Sequence, residues 1–419
     1  MRVSLIGAGK MGLPLACAIA SNGAMVTACD VNASVVNSIN AGVCPFDEPG
    51  VSEMLERVVA EGRLSATTDT AGAVAQSDVI VVIVPVMLTE DKRADLSTIE
   101  SVTNVIGRSI LQGAMVSYET TLPVGTTRRF GTTIEAQSGL RAGIDFDLVF
   151  SPERVKSRLV LRHLFDNPKV VGGITPVSAK RGEEFYARYL GAPVHNVGNL
   201  EASEYVKLAG MVYRDVNIAL SNELAEYGEA VGVDLWKLLP VINSDAEAFL
   251  LQPGIGVGGH CTPVYPHFLI TDARDRGLAA TLCEQARTRN DEQPARMVGR
   301  LGDVQGRMVT ILGVAFRPGV KEVAYSPAFA LRDVLKARGA GVRAHDPLFS
   351  PEELRTLGFE PGSLDRPEIL VLNTAHPEYH DLDFTLLASE GLSAVLDGRN
   401  LWNPDVVKAS GVRYIGVGQ

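Results

Sequence analysis

Cysteine is sparse and unpatterned in this chain. The five residues, Cys17, Cys29, Cys44, Cys261 and Cys283, are odd in number, widely spaced and form no Cys-x-x-Cys, which argues against a disulfide framework or a zinc site. No metal is expected. Basic residues are in deficit: 39 Lys and Arg against 49 Asp and Glu leave a net charge of −10, so there is no broad basic surface to hold a nucleic acid. A local positive site for a small anion is still compatible with an acidic chain. No apolar run approaches about 18 residues, so no membrane span is expected. The opening MRVSLIGAGKMG lacks the basic, long apolar and small-residue pattern of a secretory leader. A cytoplasmic protein is the expectation, and no repeat of roughly 20–50 residues is visible.

What is present is a globular composition. Apolar residues make up 46% and charged residues 21% of 419, enough at about 150 residues per domain for two to three domains. The ends alternate short β-rich runs with helical patterns. Arg2–Ile6, Met25–Cys29, Val79–Val84, Ala114–Tyr118 and Leu148–Phe150 read as strands, as do Arg307–Leu312, Val342–Ala344, Ile369–Asn373 and Ala394–Leu396. Strands alternating with helices predict parallel, doubly wound sheets. Between them, Glu201–Val233 has no proline and carries apolar residues at helical spacing, and a second helical stretch runs from about Tyr265 to Arg300. The fold class is therefore α/β, with two Rossmann-like doubly wound domains joined by a helical middle. The boundaries are 1–200, 201–300 and 301–419.

Gly7-Ala8-Gly9-Lys10-Met11-Gly12 sits between a predicted strand and a predicted helix. The first glycine permits the tight turn, the second lets backbone approach a pyrophosphate, and the third lets helix and strand pack closely. The helix N-terminus then presents free N–H groups to the phosphates. Asp30 follows about 20 residues on, where an acid binds adenosine ribose hydroxyls and disfavours a 2′-phosphate. The cofactor expected is NAD, bound by Gly7, Gly9, Lys10, Met11, Gly12 and Asp30, with Val84, Pro85 and Thr121 in the same set.

Pro253–Cys261 packs four glycines into six residues, Gly254, Gly256, Gly258 and Gly259. Such a backbone can approach a ligand closely and turn several N–H groups inward. A cysteine at its end has a plausible nucleophilic role. The other four cysteines read as small buried hydrophobes.

Several segments in order carry a resemblance: GAGKMGLPLA at the start, ETTLPVGTT (Glu119–Thr127), SPER (Ser151–Arg154), EYVKL with YRDVNIALSNELAEYGE (Glu204–Glu229), PGIGVGGHCTP (Pro253–Pro263), GVAFRPG (Gly313–Gly319), HDP and DGRN. Across essentially its whole length the chain resembles the UDP-glucose/GDP-mannose dehydrogenase family, and within it the enzymes acting on UDP-N-acetylhexosamines. The resemblance implies oxidation of a sugar C6 alcohol to a uronate with two NAD, through a cysteine thiohemiacetal and thioester. It makes Cys261 the nucleophile and Lys207 the cation that stabilises a substrate oxyanion. It implies that Thr121 helps hold a catalytic water and that Glu153 takes part in proton transfer during hydrolysis. It implies substrate contacts from Glu153, Arg154, Lys207, Gly256, Gly258, Gly259, Arg317 and Arg399, with Ser326 and Pro327 as further nucleotide candidates. It also implies a homodimer formed by the central helices.

The chain departs from the family pattern in places. Met211 stands four residues after Lys207 where an asparagine is usual, and Tyr265 four after Cys261 where an aspartate is usual. Methionine cannot donate a hydrogen bond, and tyrosine is neutral near pH 7. The family lysine in AFKP is Arg317. Val320, Lys321, Glu322, Ala324 and Tyr325 replace its T-D-D-x-R run, and Glu247 lies where an arginine is usual. His260, His267 and Asn217 are polar candidates to substitute. Three readings stay open: an atypical substrate, partial oxidation, or a non-catalytic module that binds the same ligands.

Overall fold

The structure is a computed structural model that describes residues 1–419. Its contacts divide the chain into two compact units, Met1–Gly210 with His267–Gly277, and Met211–Pro266 with Leu278–Gln419.

The first unit contains strands β1 (Arg2–Ile6), β2 (Met25–Cys29), β3 (Leu64–Thr67), β4 (Val79–Val82), a two-stranded hairpin β5 (Met87–Leu88) and β6 (Ala94–Asp95), and β7 (Met115–Tyr118), β8 (Asp147–Phe150), β9 (Lys169–Gly173) and β10 (Val194–Asn199). All but the hairpin form one sheet in the order β10-β9-β8-β7-β4-β1-β2-β3. The six strands β3-β2-β1-β4-β7-β8 are parallel, which is the doubly wound dinucleotide-binding order. β9 then pairs antiparallel with β8, so the sheet is not wholly parallel as the alternation suggests. The central strands are valine- and isoleucine-rich and buried along their length, β4 as VIVV, because helices cover both faces.

The second unit repeats this architecture. Strands β11 (Met308–Leu312), β12 (Gly341–His345), β13 (Glu360–Pro361), β14 (Ile369–Leu372), β15 (Ala394–Asp397) and β16 (Arg413–Gly416) form a parallel sheet ordered β13-β12-β11-β14-β15-β16. Its first strand ends as β1 does. Gly7 N donates to Cys29 O at 2.8 Å and Gly313 N to His345 O at 2.7 Å. Both glycines have positive φ, +103° and +84°. A Cβ on Gly7 would lie 2.6 Å from Ile83 O, and one on Gly313 2.3 Å from Thr374 Cβ. The kinship of the two ends shows in topology and turn geometry, not in sequence.

The helical middle contains Leu200–Ala230, one helix of 31 residues. The predicted stretch from Tyr265 to Arg300 is two helices, Tyr265–Asp275 and Thr281–Gly299. The chain breaks between them at Gly277, whose φ is +73°. Gly313→Ala should lower the stability of the chain by about 2 kcal/mol or more, through both backbone strain and overlap. Gly9→Ala, whose Cβ would meet nothing within 4 Å, should change it by about 0.5 kcal/mol or less. Denaturant unfolding of the two variants checks the contrast.

Candidate active site

In the first unit the site is built at the carboxyl ends of β1, β4, β7 and β8, where strand order reverses. The three glycines of the first turn have separate jobs. Gly7 turns the chain beneath Ile83. Gly12 opens helix Gly12–Ser21 so tightly that a Cβ would overlap Gly7 O, while a Cβ on Gly9 would point into open space. That open side is where a pyrophosphate would approach the backbone. Asp30 is half-buried after β2. It accepts from Ala8 N at 3.1 Å and Asn32 N at 2.9 Å, which holds the turn while part of the carboxylate faces outward. These residues fit an NAD adenosine half, and Lys10 and Pro85 are exposed at its edge. Val84 is buried and its carbonyl accepts from Thr120 Oγ1 at 2.6 Å. Thr120, next to the expected Thr121, makes this link between the ends of β4 and β7. Thr121 itself is buried.

Beneath these loops lies an ionic cluster that sequence reasoning did not anticipate. Glu119, fully buried at the end of β7, pairs with Lys169 at the start of β9 and accepts from Tyr186 Oη at 2.7 Å. Tyr186 Oη also meets Ser117 Oγ at 2.7 Å. Burial pushes the Glu119 carboxyl up, and the Lys169 ammonium opposes that rise. The cluster supports the next residue outward: Glu153 N donates to Glu119 O at 3.1 Å. Glu153 O accepts from Lys207 Nζ, and its carboxylate accepts from Val155 N. Glu153 and Lys207 are thus brought together through a backbone carbonyl. Arg154, beside them in sequence, is exposed and donates to Pro168 O at 3.3 Å.

Lys207 is buried one turn after Glu204, whose carboxylate sits at the start of helix Thr126–Ser138. There it accepts from Gly125 N at 2.5 Å, Thr127 N at 2.8 Å and Thr127 Oγ1 at 2.7 Å. Burial pushes Glu204 up to about 7 against those bonds. Glu204 lies within the EYVKL segment, but only the fold shows that it joins this helix to the lysine.

The second unit carries the cysteine loop. Its glycines permit close packing. A Cβ on Gly256 would lie 2.9 Å from Pro327 Cβ, and one on Gly258 2.7 Å from Phe316 Cβ. The inward array of N–H groups expected from the sequence is largely spent on the protein. Gly254 N donates to Asn222 Oδ1 at 2.8 Å, Ile255 N to Gly398 O at 3.1 Å, and Gly259 N to Ala324 O at 2.8 Å. Cys261 is half-buried and its carbonyl accepts from Val264 N at 3.2 Å and Tyr265 N at 2.9 Å. It stands at the mouth of the turn that opens helix Tyr265–Asp275. No cysteine is in a disulfide, and no group of three or more His, Cys, Asp or Glu could hold a metal.

Arg399 lies against this loop. A Cβ on Gly254 would come within 3.0 Å of its Nη1, and its Nε donates to Asn373 O at 2.7 Å. The protein packed around it lowers the guanidinium to about 10, still charged at neutral pH. Arg317 is half-buried with its guanidinium 5.9 Å from the Phe316 ring centre. Ser326 caps helix Pro327–Ala337, accepting from Ala328 N at 3.3 Å, which makes it structural rather than an open nucleotide contact. His260 is exposed. Asn217 does not serve as a substitute acid–base group, because its amide is bound at both ends to backbone, with Leu251 N at 2.8 Å and Phe249 O at 2.6 Å.

Residues 1–190 match the NAD binding domain of the UDP-glucose/GDP-mannose dehydrogenase family, 201–292 its central domain and 310–404 its UDP binding domain. A UDP-N-acetyl-D-mannosamine dehydrogenase of Pyrococcus horikoshii is 30% identical over 96% of each chain. An NDP-N-acetyl-D-galactosaminuronic acid dehydrogenase of Ralstonia solanacearum is 31% identical over 96% of each. The solved structure of a Pyrococcus horikoshii UDP-D-ManNAc dehydrogenase superposes with a TM-score of 0.91 at 29% identity, covering 100% of this chain and 99% of that one. Three matched domains in order, above a glycine turn and ribose acid that fit NAD, place this chain in the UDP-glucose/GDP-mannose dehydrogenase family, with NAD as its cofactor.

Proposed function

We propose that the chain oxidises the C6 alcohol of a nucleotide sugar, a UDP-hexose or UDP-N-acetylhexosamine, to the uronate, with Cys261 as covalent nucleophile. The observation that carries this reading is the tightly fastened glycine loop ending in a half-buried cysteine at a helix mouth. A helix N-terminus favours a thiolate. The N-acetylhexosamine names of the relatives favour that branch. NAD, when bound at Gly7–Gly12 and Asp30, supplies the hydride acceptor.

The chain's own groups do the rest. Lys207, buried and aligned by Glu153 O, stabilises negative charge on the substrate oxygen. Loss of a first hydride from C6 and of the alcohol proton gives the aldehyde. Cys261 Sγ then adds to its carbonyl carbon, the thiol proton being given up to solvent and one taken from solvent by the carbonyl oxygen, which becomes the thiohemiacetal hydroxyl. Loss of a second hydride and that hydroxyl proton leaves a thioester. Water, oriented by Thr121 and deprotonated by Glu153, attacks the acyl carbon, and the C–S bond breaks to release uronate and thiolate. Arg317 and Arg399 suit the diphosphate, each offering bidentate donors.

Met211 and Tyr265 favour a second reading, in which oxidation stops part-way or hydrolysis is slow. Product stoichiometry separates the two. Full oxidation yields two NADH per uronate across a panel of UDP-hexoses and UDP-N-acetylhexosamines, and partial oxidation one NADH per aldehyde. Cys261→Ser should abolish uronate formation, and uronate output equal to the parent would remove the covalent mechanism. Asp30→Ala should narrow the preference for NAD over NADP by at least about tenfold in kcat/KM, about 1.4 kcal/mol, measured with both cofactors at one sugar concentration.

The homodimer is proposed through helix Leu200–Ala230. It shows Tyr213, Leu220 and Tyr227 at seven-residue intervals, 54%, 46% and 66% exposed, a stripe that repeats on one helix face. No helix is long and apolar enough to cross a membrane, in keeping with a cytoplasmic location. Leu220→Asp should halve the sedimenting mass if this face joins two copies; a parent chain that sediments as a monomer would overturn the dimer.

A further inference from the structure

The segment that leads into the cysteine loop, Phe249 to Gly254, belongs to no helix or strand, yet Phe249, Leu250, Leu251 and Gly254 have backbone groups held by hydrogen bonds. The partners are side-chain carboxamides. Asn243 Oδ1 accepts from Leu250 N at 2.7 Å, and its Nδ2 donates to Leu250 O at 2.9 Å. Asn217 Oδ1 accepts from Leu251 N at 2.8 Å, and its Nδ2 donates to Phe249 O at 2.6 Å. Gly254 is held from two helices: its N–H by Asn222 Oδ1 at 2.8 Å, and its carbonyl by Gln293 Nε2 at 3.0 Å.

Asn222 and Gln293 are 1% and 2% exposed. Neither Asn222 Nδ2 nor Gln293 Oε1 has a hydrogen-bond partner in the chain. An apolar pair would pack there at less cost, since a buried polar group is unfavourable unless its bonds are made. The bond to Gly254 is the one side-chain hydrogen bond that offsets each burial. Apolar contacts cannot orient the two peptide planes that flank Gly254, whereas an acceptor on the first and a donor on the second can.

We propose that Asn222 and Gln293, continued by Asn217 and Asn243, are positioning residues that fix the two peptides flanking Gly254 and thereby the orientation of Cys261 seven residues on. Downstream, the bonds of Ile255 N and Gly259 N and the packing of Gly256 and Gly258 carry that placement to the thiol. Slack at Gly254 lets Cys261 drift from the start of helix Tyr265–Asp275, whose positive dipole end favours a thiolate.

The proposal rests on Cys261 being the reactive cysteine, but its test needs no sugar and so is independent of whether the sugar reading holds. The full-length parent, Asn222→Leu and Gln293→Met are alkylated with iodoacetamide between pH 6 and 10, and modification of the Cys261 peptide is followed by mass spectrometry. Asn290→Leu is the control. Asn290 lies in the same buried seam but bonds Asp215 rather than the loop. The two loop variants should raise the pH midpoint of Cys261 alkylation by about half a unit or more, while Asn290→Leu lowers Tm and leaves the midpoint in place. A midpoint unmoved in both loop variants, or moved as far in Asn290→Leu, overturns the positioning role.

Discussion

Both sheets depend on a carboxylate at the end of the second strand that ties down the peptide N–H groups leaving the first. Asp30 does this for Ala8. Asp346 does it for Val314 at 2.7 Å and Ala315 at 3.1 Å. Without that anchor, the turn at Gly7 or Gly313 would leave buried donors unpaired at the point where strand order reverses. The two acids differ in what remains to them. Asp346 is buried and also accepts from Leu348 N at 2.9 Å and meets His376 Nε2 at 3.3 Å. Burial alone would raise its carboxyl, but His376 and the N–H bonds hold it below the usual range. Asp30 carries two backbone bonds and stays half-open. One device is therefore structural in the second sheet and able to take ribose hydroxyls in the first.

The loops after the two first strands diverge for the same reason. In the first unit only Gly7 to Met11 separate β1 from its helix. In the second, Gly313 to Ser326 intervene before helix Pro327–Ala337. Phe316 and the Tyr325 backbone fill that longer loop and pack on the glycines of the cysteine segment. Tyr325 itself adopts a positive φ of +49°, a conformation that costs about 1–3 kcal/mol for a non-glycine residue and persists only where neighbours enforce it. Asparagine and threonine at the end of β14 close the crevice further, since Asn373 Nδ2 donates to Gly313 O at 2.9 Å. The Gly313 turn is therefore filled by Thr374, whereas the Gly9 turn of the first sheet is open.

Much of this was legible from the chain because period and position coincide. β1, β2, β4 and β11 are short, apolar and bounded by turn residues. The G-x-G-x-x-G run lies between a strand and a helix, with Asp30 at the expected interval. β9 and β10 were not legible: KVVGG and VHNVGN carry glycine or exposed polar residues where a strand signal needs alternation. Glu119, Lys169 and Tyr186 could not be joined from sequence, because ion pairs across 50 residues leave no spacing. The cysteine loop misled in an instructive way. Four glycines in six suggest a cradle of N–H groups, but the absence of side chains serves just as well to seat backbone against Pro327 and Phe316.

The choice of asparagine and glutamine around Phe249–Gly254 follows from the same accounting. An unpaired loop must satisfy donors and acceptors alternately, as a strand neighbour would. A carboxylate only accepts, and an ammonium or guanidinium only donates. A carboxamide offers both in one plane, so Asn243 can hold the N–H and the carbonyl of a single residue. It is also uncharged across the range in which a thiol ionises. A clamp of carboxylates would loosen or tighten as its own protons moved, and would add negative charge that disfavours a thiolate. Neutral amides leave the geometry of the loop constant while the sulfur alone changes state.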